Sequence, residues 1–431
     1  MNYRELYQSK LGTLEGALKL IRSGDVIGTP IYGNEPTHFI RNLHTIAPHV
    51  ENVTLWTMLM MGDYQVMTDP DLVGHIDVYT YFYNKDCRAS HGTKRFQYVP
   101  TDLHMVDFAI ATAKPATVFV AAVSPMDEHG KVYLSFDMQA GLQNMKSADR
   151  VIFEINSNIP RVFGETALPI ERADYIYEAD TTLPTSPMTT ATQTELAIAQ
   201  NVVSLIRDGD CIQLGIGGMP NAIGEALVDK KDLGIHTEMI TTSMGKLLRA
   251  GVVTNARKNF NTGKTVGAFA WGDQALYDYM AENTSVMLRQ VAWVNHPANI
   301  ARNDNMVSVN TAIQVDLTGQ ICSEGMGPKQ YSGSGGALDF AYGAMHSKGG
   351  RGIIALTSTA KGGTVSKIQP TLTPGSAVTI PRNSADYIVT EYGIAPLRGR
   401  SIRQRVENLI AIAHPDFRTD LRRQADLLML W

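Results

Sequence analysis

A carboxylate and a cluster of glycines, about twenty residues apart, are the parts of this chain best suited to chemistry. Glu238 lies in Gly234-Ile235-His236-Thr237-Glu238-Met239-Ile240, and the glycines in Gly215-Ile216-Gly217-Gly218, followed by Met219 and Pro220. Glycines bring bare N–H groups near a ligand where the chain must turn sharply. A carboxylate beside such a turn has two uses. It can bind a ribose, as the acidic residue does that follows a dinucleotide fingerprint. It can also attack an activated acyl group, with backbone N–H groups stabilising the oxyanion. Gly215-x-Gly217-x-x-Pro220 puts proline where the dinucleotide motif needs its third glycine, which favours the second use. The N–H groups of Gly217 and Gly218 are then the oxyanion donors. No Gly-Lys-Ser/Thr follows the turn, which argues against a P-loop.

Strand, turn and helix must position these groups. Asp210 to Leu214 is a short apolar run, as expected of a strand buried on both faces. Pro220 suits a first helical position, and Asn221 to Val228 can run as a helix. Gly234 to Ile240 reads as the next strand, with Glu238 delivered at its C-terminal end, where ligands sit in parallel α/β sheets. Further along, Asn310 to Asp316 alternates as a half-buried strand. Gly352 to Ser358 and Thr364 to Ile368 read as a strand pair around Lys361. After Glu238 a helix is expected over Lys246 to Ala250.

Other candidates are weaker alone. Ser332-Gly333-Ser334-Gly335-Gly336 reads either as a surface loop or as a close backbone approach to an extended ligand, ahead of a helix that opens at Ala337. Lys361 can be an exposed lysine or a partner for phosphate or thiolate. The histidines show no metal-ligand spacing: His236 lies two residues from Glu238 and no HExxH occurs, so no metal is expected. Cys87, Cys211 and Cys322 are few, odd in number and far apart, which suits a reducing compartment.

At 431 residues, two domains are expected. A formal charge of −4 argues against a nucleic-acid partner, and no apolar run is long enough to span a membrane. The N-terminus lacks an apolar signal core, so a cytoplasmic enzyme is expected. Leu20–Ile27 (LIRSGDVI) and Leu205–Ile212 (LIRDGDCI) share six of eight residues, which suggests two related α/β halves. Asn52 to Trp56 takes the place of Gly234 to Glu238 in that alignment, so Trp56 stands where the second half has its carboxylate. Asp180 to Glu195, rich in Thr and Pro, is the expected linker. Thr192 or Thr194 caps the helix after it.

These segments together resemble one family. QLGIGGMPNAI, GIHTEM, VNHPANIA, QVDLTGQICSE, KQYSGSGGALDF, ADYIVTEYGIAPLRGRS and LIAIAHPDF are similar to those of acetyl-CoA hydrolase/transferase-type CoA-transferases, in particular the 4-hydroxybutyrate and butyryl-CoA:acetate enzymes. The resemblance implies two tandem open-sheet, doubly wound α/β domains, over 1–185 and 190–431. It implies transfer of CoA between a short-chain acyl-CoA and a free carboxylate through a glutamyl-CoA thioester, without a metal, in a homodimer. Glu238 then matches the catalytic glutamate and Gly215 to Met219 the CoA and oxyanion loop. Ile313, Gly336 and Lys361 match CoA-contacting positions, with Ser334 and Gly335 beside them. Thr241-Thr242-Ser243-Met244-Gly245 departs from the Ser-Asp-Gly type of segment in relatives. Two other readings remain open from the residues: an acyl-CoA hydrolase using the same glutamate, and a non-catalytic CoA-binding module.

Overall fold

A computed structural model describes residues 2–90, 92–186 and 190–430. The chain forms two compact units, Met1–Ser186 with Val266–Trp293 and Pro187–Thr265 with Val294–Trp431. The second domain expected over 190–431 is therefore interrupted, because residues 266–293 return to the first unit. Within that unit, Arg289 pairs with Glu165 at 2.6 Å and Phe269 stacks on Tyr32 at 5.4 Å.

The first unit is built on a seven-stranded parallel sheet. Its order is Phe96–Tyr98, Ile76–Thr80, Val53–Thr57, Val26–Gly28, Val118–Val123, Arg150–Ile155 and Tyr175–Glu178. The Val118–Val123 strand is buried at every residue, the pattern of a sheet covered on both faces. Helices Leu14–Leu18 and Thr37–Leu43 pack on it through Ala17, Leu18, Phe39 and Ile40. Beyond helix Leu14–Leu18, Arg22 donates its backbone N–H to Asp25 at 2.7 Å.

The second unit repeats the plan. Gly234–Thr241, Cys211–Leu214, Met306–Thr311, Arg351–Ala355 and Tyr387–Thr390 lie side by side in parallel, and Gly393–Pro396 adds an antiparallel edge. The strand expected over Asn310 to Asp316 breaks at Ala312-Ile313 into Met306–Thr311 and Gln314–Asp316. Arg351–Ala355 pairs with Met306–Thr311, not with residues 364–368; the hairpin around Lys361 is the shorter Thr359–Ala360 with Val365–Ser366. Hydrophobic alternation identifies a strand but not its partner, which accounts for that difference.

Of the expected linker, residues 187–189 lie outside the described residues. The part before them is held to the first unit. Leu183 is buried, Pro184 accepts a hydrogen bond from the Tyr277 hydroxyl at 2.7 Å, and Ser186 donates to Gly272 at 2.9 Å. Thr192 then caps helix Gln193–Ser204, with Glu195 closing a capping box.

Candidate active site

Glu238 is the fifth residue of an eight-residue strand, not its last. It still reaches the sheet edge, because its neighbour Cys211–Leu214 is shorter. Cys211 pairs with Gly234 and Ile212 with Ile235. Carrying that register three residues on sets Gly215, the first residue beyond its own strand, level with Glu238. The glycine turn and the carboxylate therefore share the carboxyl edge, as ligand-binding groups do in open α/β sheets.

The side chain of Glu238 is half-buried and held by the second unit's own groups. Asn295 donates its amide to Glu238 Oε2 at 2.9 Å and to Asp339 Oδ2 at 3.4 Å. The Gly336 backbone N–H reaches the same carboxylate. Glycine allows that approach: a Cβ on residue 336 would fall 2.0 Å from Glu238 Oε2 and 2.2 Å from Asn295 Nδ2, so both side chains would have to move. Loss of solvent raises the Glu238 pKa to about 7, and the Asp339 charge adds to that rise. The hydrogen bonds from Asn295 and Gly336 oppose it. The result is a carboxylate more basic than a surface glutamate and poised near neutrality, which favours nucleophilic work.

His236, two residues earlier, stays neutral and serves the scaffold. Burial, reinforced by the nearby Lys258 charge, pushes its pKa down to about 3, and its Nε2 meets the Val294 carbonyl at 2.8 Å. The neutral ring thus pins the residue next to Asn295. Lys258 is buried too and spends its ammonium on the carbonyls of Ile235 and Lys264, each at 2.8 Å. Both side chains are scaffold under the strand that bears Glu238.

The remaining residues singled out from sequence lie in or beside turns of the second unit. Gly215 donates to the Val309 carbonyl at 2.8 Å. Gly217, at φ +111°, opens helix Gly218–Glu225, so the N–H groups of Gly218 and Met219 occupy its first turn, where they have no intrahelical acceptor. Ile216 is exposed. The helix begins before Pro220, two residues earlier than expected. Ile313 sits at the break after Met306–Thr311 and donates to the Cys322 carbonyl at 2.9 Å. Ser334 and Gly335 lead into helix Ala337–His346, and Gly336 is its N-cap. Lys361 is exposed at the hairpin tip with φ +50°. Of this set the structure brings Gly336 into direct contact with Glu238. Asn295 and Asp339 were not singled out. Both lie inside quoted segments, VNHPANIA and ALDF, but nothing in their spacing from Glu238 announces that they meet it.

Comparison with known proteins shows the family. Residues 1–186 match the acetyl-CoA hydrolase/transferase N-terminal domain and residues 272–425 the C-terminal domain of the same name. The chain is 41% identical to the succinyl-CoA:cyclohexane-1-carboxylate CoA transferase of Geobacter metallireducens, over 98% of this chain and 97% of that protein. It is 39% identical to the 4-hydroxybutyrate coenzyme A transferase of Clostridium kluyveri, over 98% of each. The crystal structure of RipA from Yersinia pestis is similar over the whole of both chains, with a TM-score of 0.95 at 38% identity. The chain belongs to the acetyl-CoA hydrolase/transferase family. Its relatives at this level are CoA-transferases, and by that kinship it is a CoA-transferase enzyme. A solved 4-hydroxybutyrate CoA-transferase from Porphyromonas gingivalis has the same fold, with a TM-score of 0.85 at 32% identity over 99% of this chain and all of the other. Among the described residues no helix is long and apolar enough to cross a membrane.

Proposed function

We propose that this enzyme exchanges CoA between a short-chain acyl-CoA and a free carboxylic acid, with Glu238 as the covalent nucleophile. The observation that carries the reading is the carboxylate itself: half-buried at the sheet edge, gripped by Asn295 and the Gly336 N–H, and raised to about 7. Its free oxygen attacks the thioester carbonyl, and collapse expels CoA thiolate and leaves a mixed anhydride. The thiolate then attacks the glutamyl carbonyl, releasing the first acid and leaving glutamyl-CoA. An incoming carboxylate runs both steps in reverse. Atoms balance without ATP or metal, because thioester and anhydride are comparably activated.

Each tetrahedral intermediate needs donors for its oxyanion. The N–H groups of Gly217 and Gly218 are assigned that role, each worth about 3 kcal/mol when well aimed. Gly215, Ile216 and Met219 would complete the loop along the CoA, while Ile313, Ser334, Gly335 and Gly336 line its path. Lys361, on its exposed hairpin, would meet a phosphate. The relatives' acids include 4-hydroxybutyrate, butyrate and cyclohexane-1-carboxylate, which supports small carboxylic acids as acceptors.

The test is to trap the intermediate. Incubation with butyryl-CoA and then borohydride should reduce the glutamyl thioester to an alcohol, and peptide mass spectrometry should place the change at Glu238. Unmodified Glu238 beside continued exchange would end the proposal. Thioester loss without an acceptor acid would instead identify water as the acceptor and a hydrolase.

A further inference from the structure

The first unit also has an open pocket on its carboxyl edge. A cavity of about 630 Å³ is bounded by residues at or just after the ends of Val118–Val123, Arg150–Ile155 and Tyr175–Glu178, and by helix Tyr3–Lys10. That is where open α/β sheets bind ligands, and the volume is in the range of small-molecule sites. In register these strands are the counterparts of Met306–Thr311, Arg351–Ala355 and Tyr387–Thr390. The likeness extends to a brace at the edge. Ser157 donates its hydroxyl to Asp180 Oδ1 at 2.5 Å, as Ser358 does to Glu391 Oε1 at 2.6 Å. In each case the serine's backbone N–H also donates to that carboxylate, at 3.4 and 2.9 Å.

The lining chooses the ligand class. Glu178 and Asp180 supply two carboxylates and Arg4 one guanidinium, while Met126 and Ile155 supply apolar surface. Tyr7 donates its hydroxyl to Glu178 Oε1 at 2.6 Å, which fixes that side chain and leaves its second oxygen to accept. Two carboxylates against one cation repel a phosphate-bearing ligand, so the pocket is not a second CoA site. We infer that it binds a small zwitterion with an apolar body, the chemistry of an apolar amino acid or dipeptide. The ammonium group sits between Glu178 and Asp180, the carboxylate pairs with Arg4, and the apolar body rests on Met126 and Ile155.

Calorimetry on the full-length protein tests this with leucine and leucyl-leucine as probes. At least one should bind, and leucinamide, which lacks the carboxylate, should bind about tenfold more weakly than leucine, as should leucine to Arg4→Gln or Glu178→Gln. Glutamine at 178 still accepts from Tyr7, and circular dichroism verifies its fold; Asp180→Asn tests the anionic side independently. No heat from either probe overturns the inference. So does leucine binding that all three variants leave unchanged, since such binding would belong to another site.

Discussion

The two halves of this enzyme share a frame and differ in what stands at its carboxyl edge. Asp25 accepts from the Arg22 backbone N–H at 2.7 Å and Asp210 from that of Arg207 at 2.6 Å. Each aspartate pairs with an arginine two strands away, Arg150 at 2.5 Å and Arg351 at 2.6 Å. Gly24 and Gly209 both take φ +81°, a conformation that the turn demands and glycine adopts without strain. The sixfold identity of the two octapeptides thus encodes the brace under each sheet, not a ligand site. At the other edge the halves part. Val26 pairs with Thr54 as Cys211 pairs with Gly234. By that register Met58, not Trp56, stands where the second half has Glu238. Trp56 instead corresponds to the scaffold residue His236.

A raised pKa does not separate the halves. Glu35, Asp137 and Glu154 in the first unit are each pushed up to about 7, in every case by burial before anything else. Glu35 and Glu154, however, are almost completely enclosed and accept hydrogen bonds from the Tyr64 and Tyr177 hydroxyls. They hold the helix entry near Phe39, which donates to Glu154 at 3.3 Å. Glu238 is similarly basic but less completely enclosed. Access, not basicity, marks the chemical half.

The largest effect expected follows directly. Glu238→Ala should lower exchange by about 10⁴-fold or more, as loss of a covalent nucleophile does, while the fold survives. Met58→Glu on that background should restore nothing, because the first half lacks counterparts of Asn295 and Gly336. A radiolabelled acetate exchange assay decides both. Recovery of exchange in the double variant would show that the frame alone suffices.

Next comes the shared brace. Arg351→Met leaves Asp210 buried without its cation and should cost about 3 kcal/mol, and Arg150→Met should cost the first unit about as much. Urea unfolding measures each. A loss in only one half would show that the repeat has stopped being structural in the other. Gly336→Ala follows at about 10²-fold in kcat, since the new Cβ must displace the Glu238 carboxyl by an ångström or so. The protein should fold normally, because φ −94° suits alanine. An unimpaired variant would mean that the carboxylate works from another position.

How much of this was legible without coordinates depends on distance along the chain. The glycine turn, the helix after it and the strand that bears Glu238 lie close in sequence, so local pattern and strand order suffice to bring them together. The offset of Met58 against Trp56 was not legible: aligning residues fixes neighbours, but only pairing fixes register. Asn295 and Asp339 come from segments 57 and 101 positions beyond Glu238 (295 − 238 and 339 − 238) and meet it through long crossovers. A polar residue next to apolar ones reads as an element terminator until its partner is known. The interruption of the second domain by residues 266–293 was hidden for the same reason.

The smallest effect is the most specific. Only ionised Glu238 attacks, so kcat/KM should fall as pH drops through about 7, the value set by burial and the Asp339 charge. Asp339→Asn removes the charge but keeps a side chain of the same shape beside Asn295. Ionised Glu238 then loses a repulsive neighbour, so its pKa should move down and the acid limb of the profile should shift to lower pH. The limb should stop short of the ordinary glutamate value, because burial, the larger cause, is untouched. The plateau rate at pH 8.5 should fall only modestly, by about threefold, since a less basic carboxylate is a slightly poorer nucleophile. A limb that stays in place would mean that the group titrating near neutrality is not Glu238, and that the carboxylate attacks without the raised basicity assigned to it.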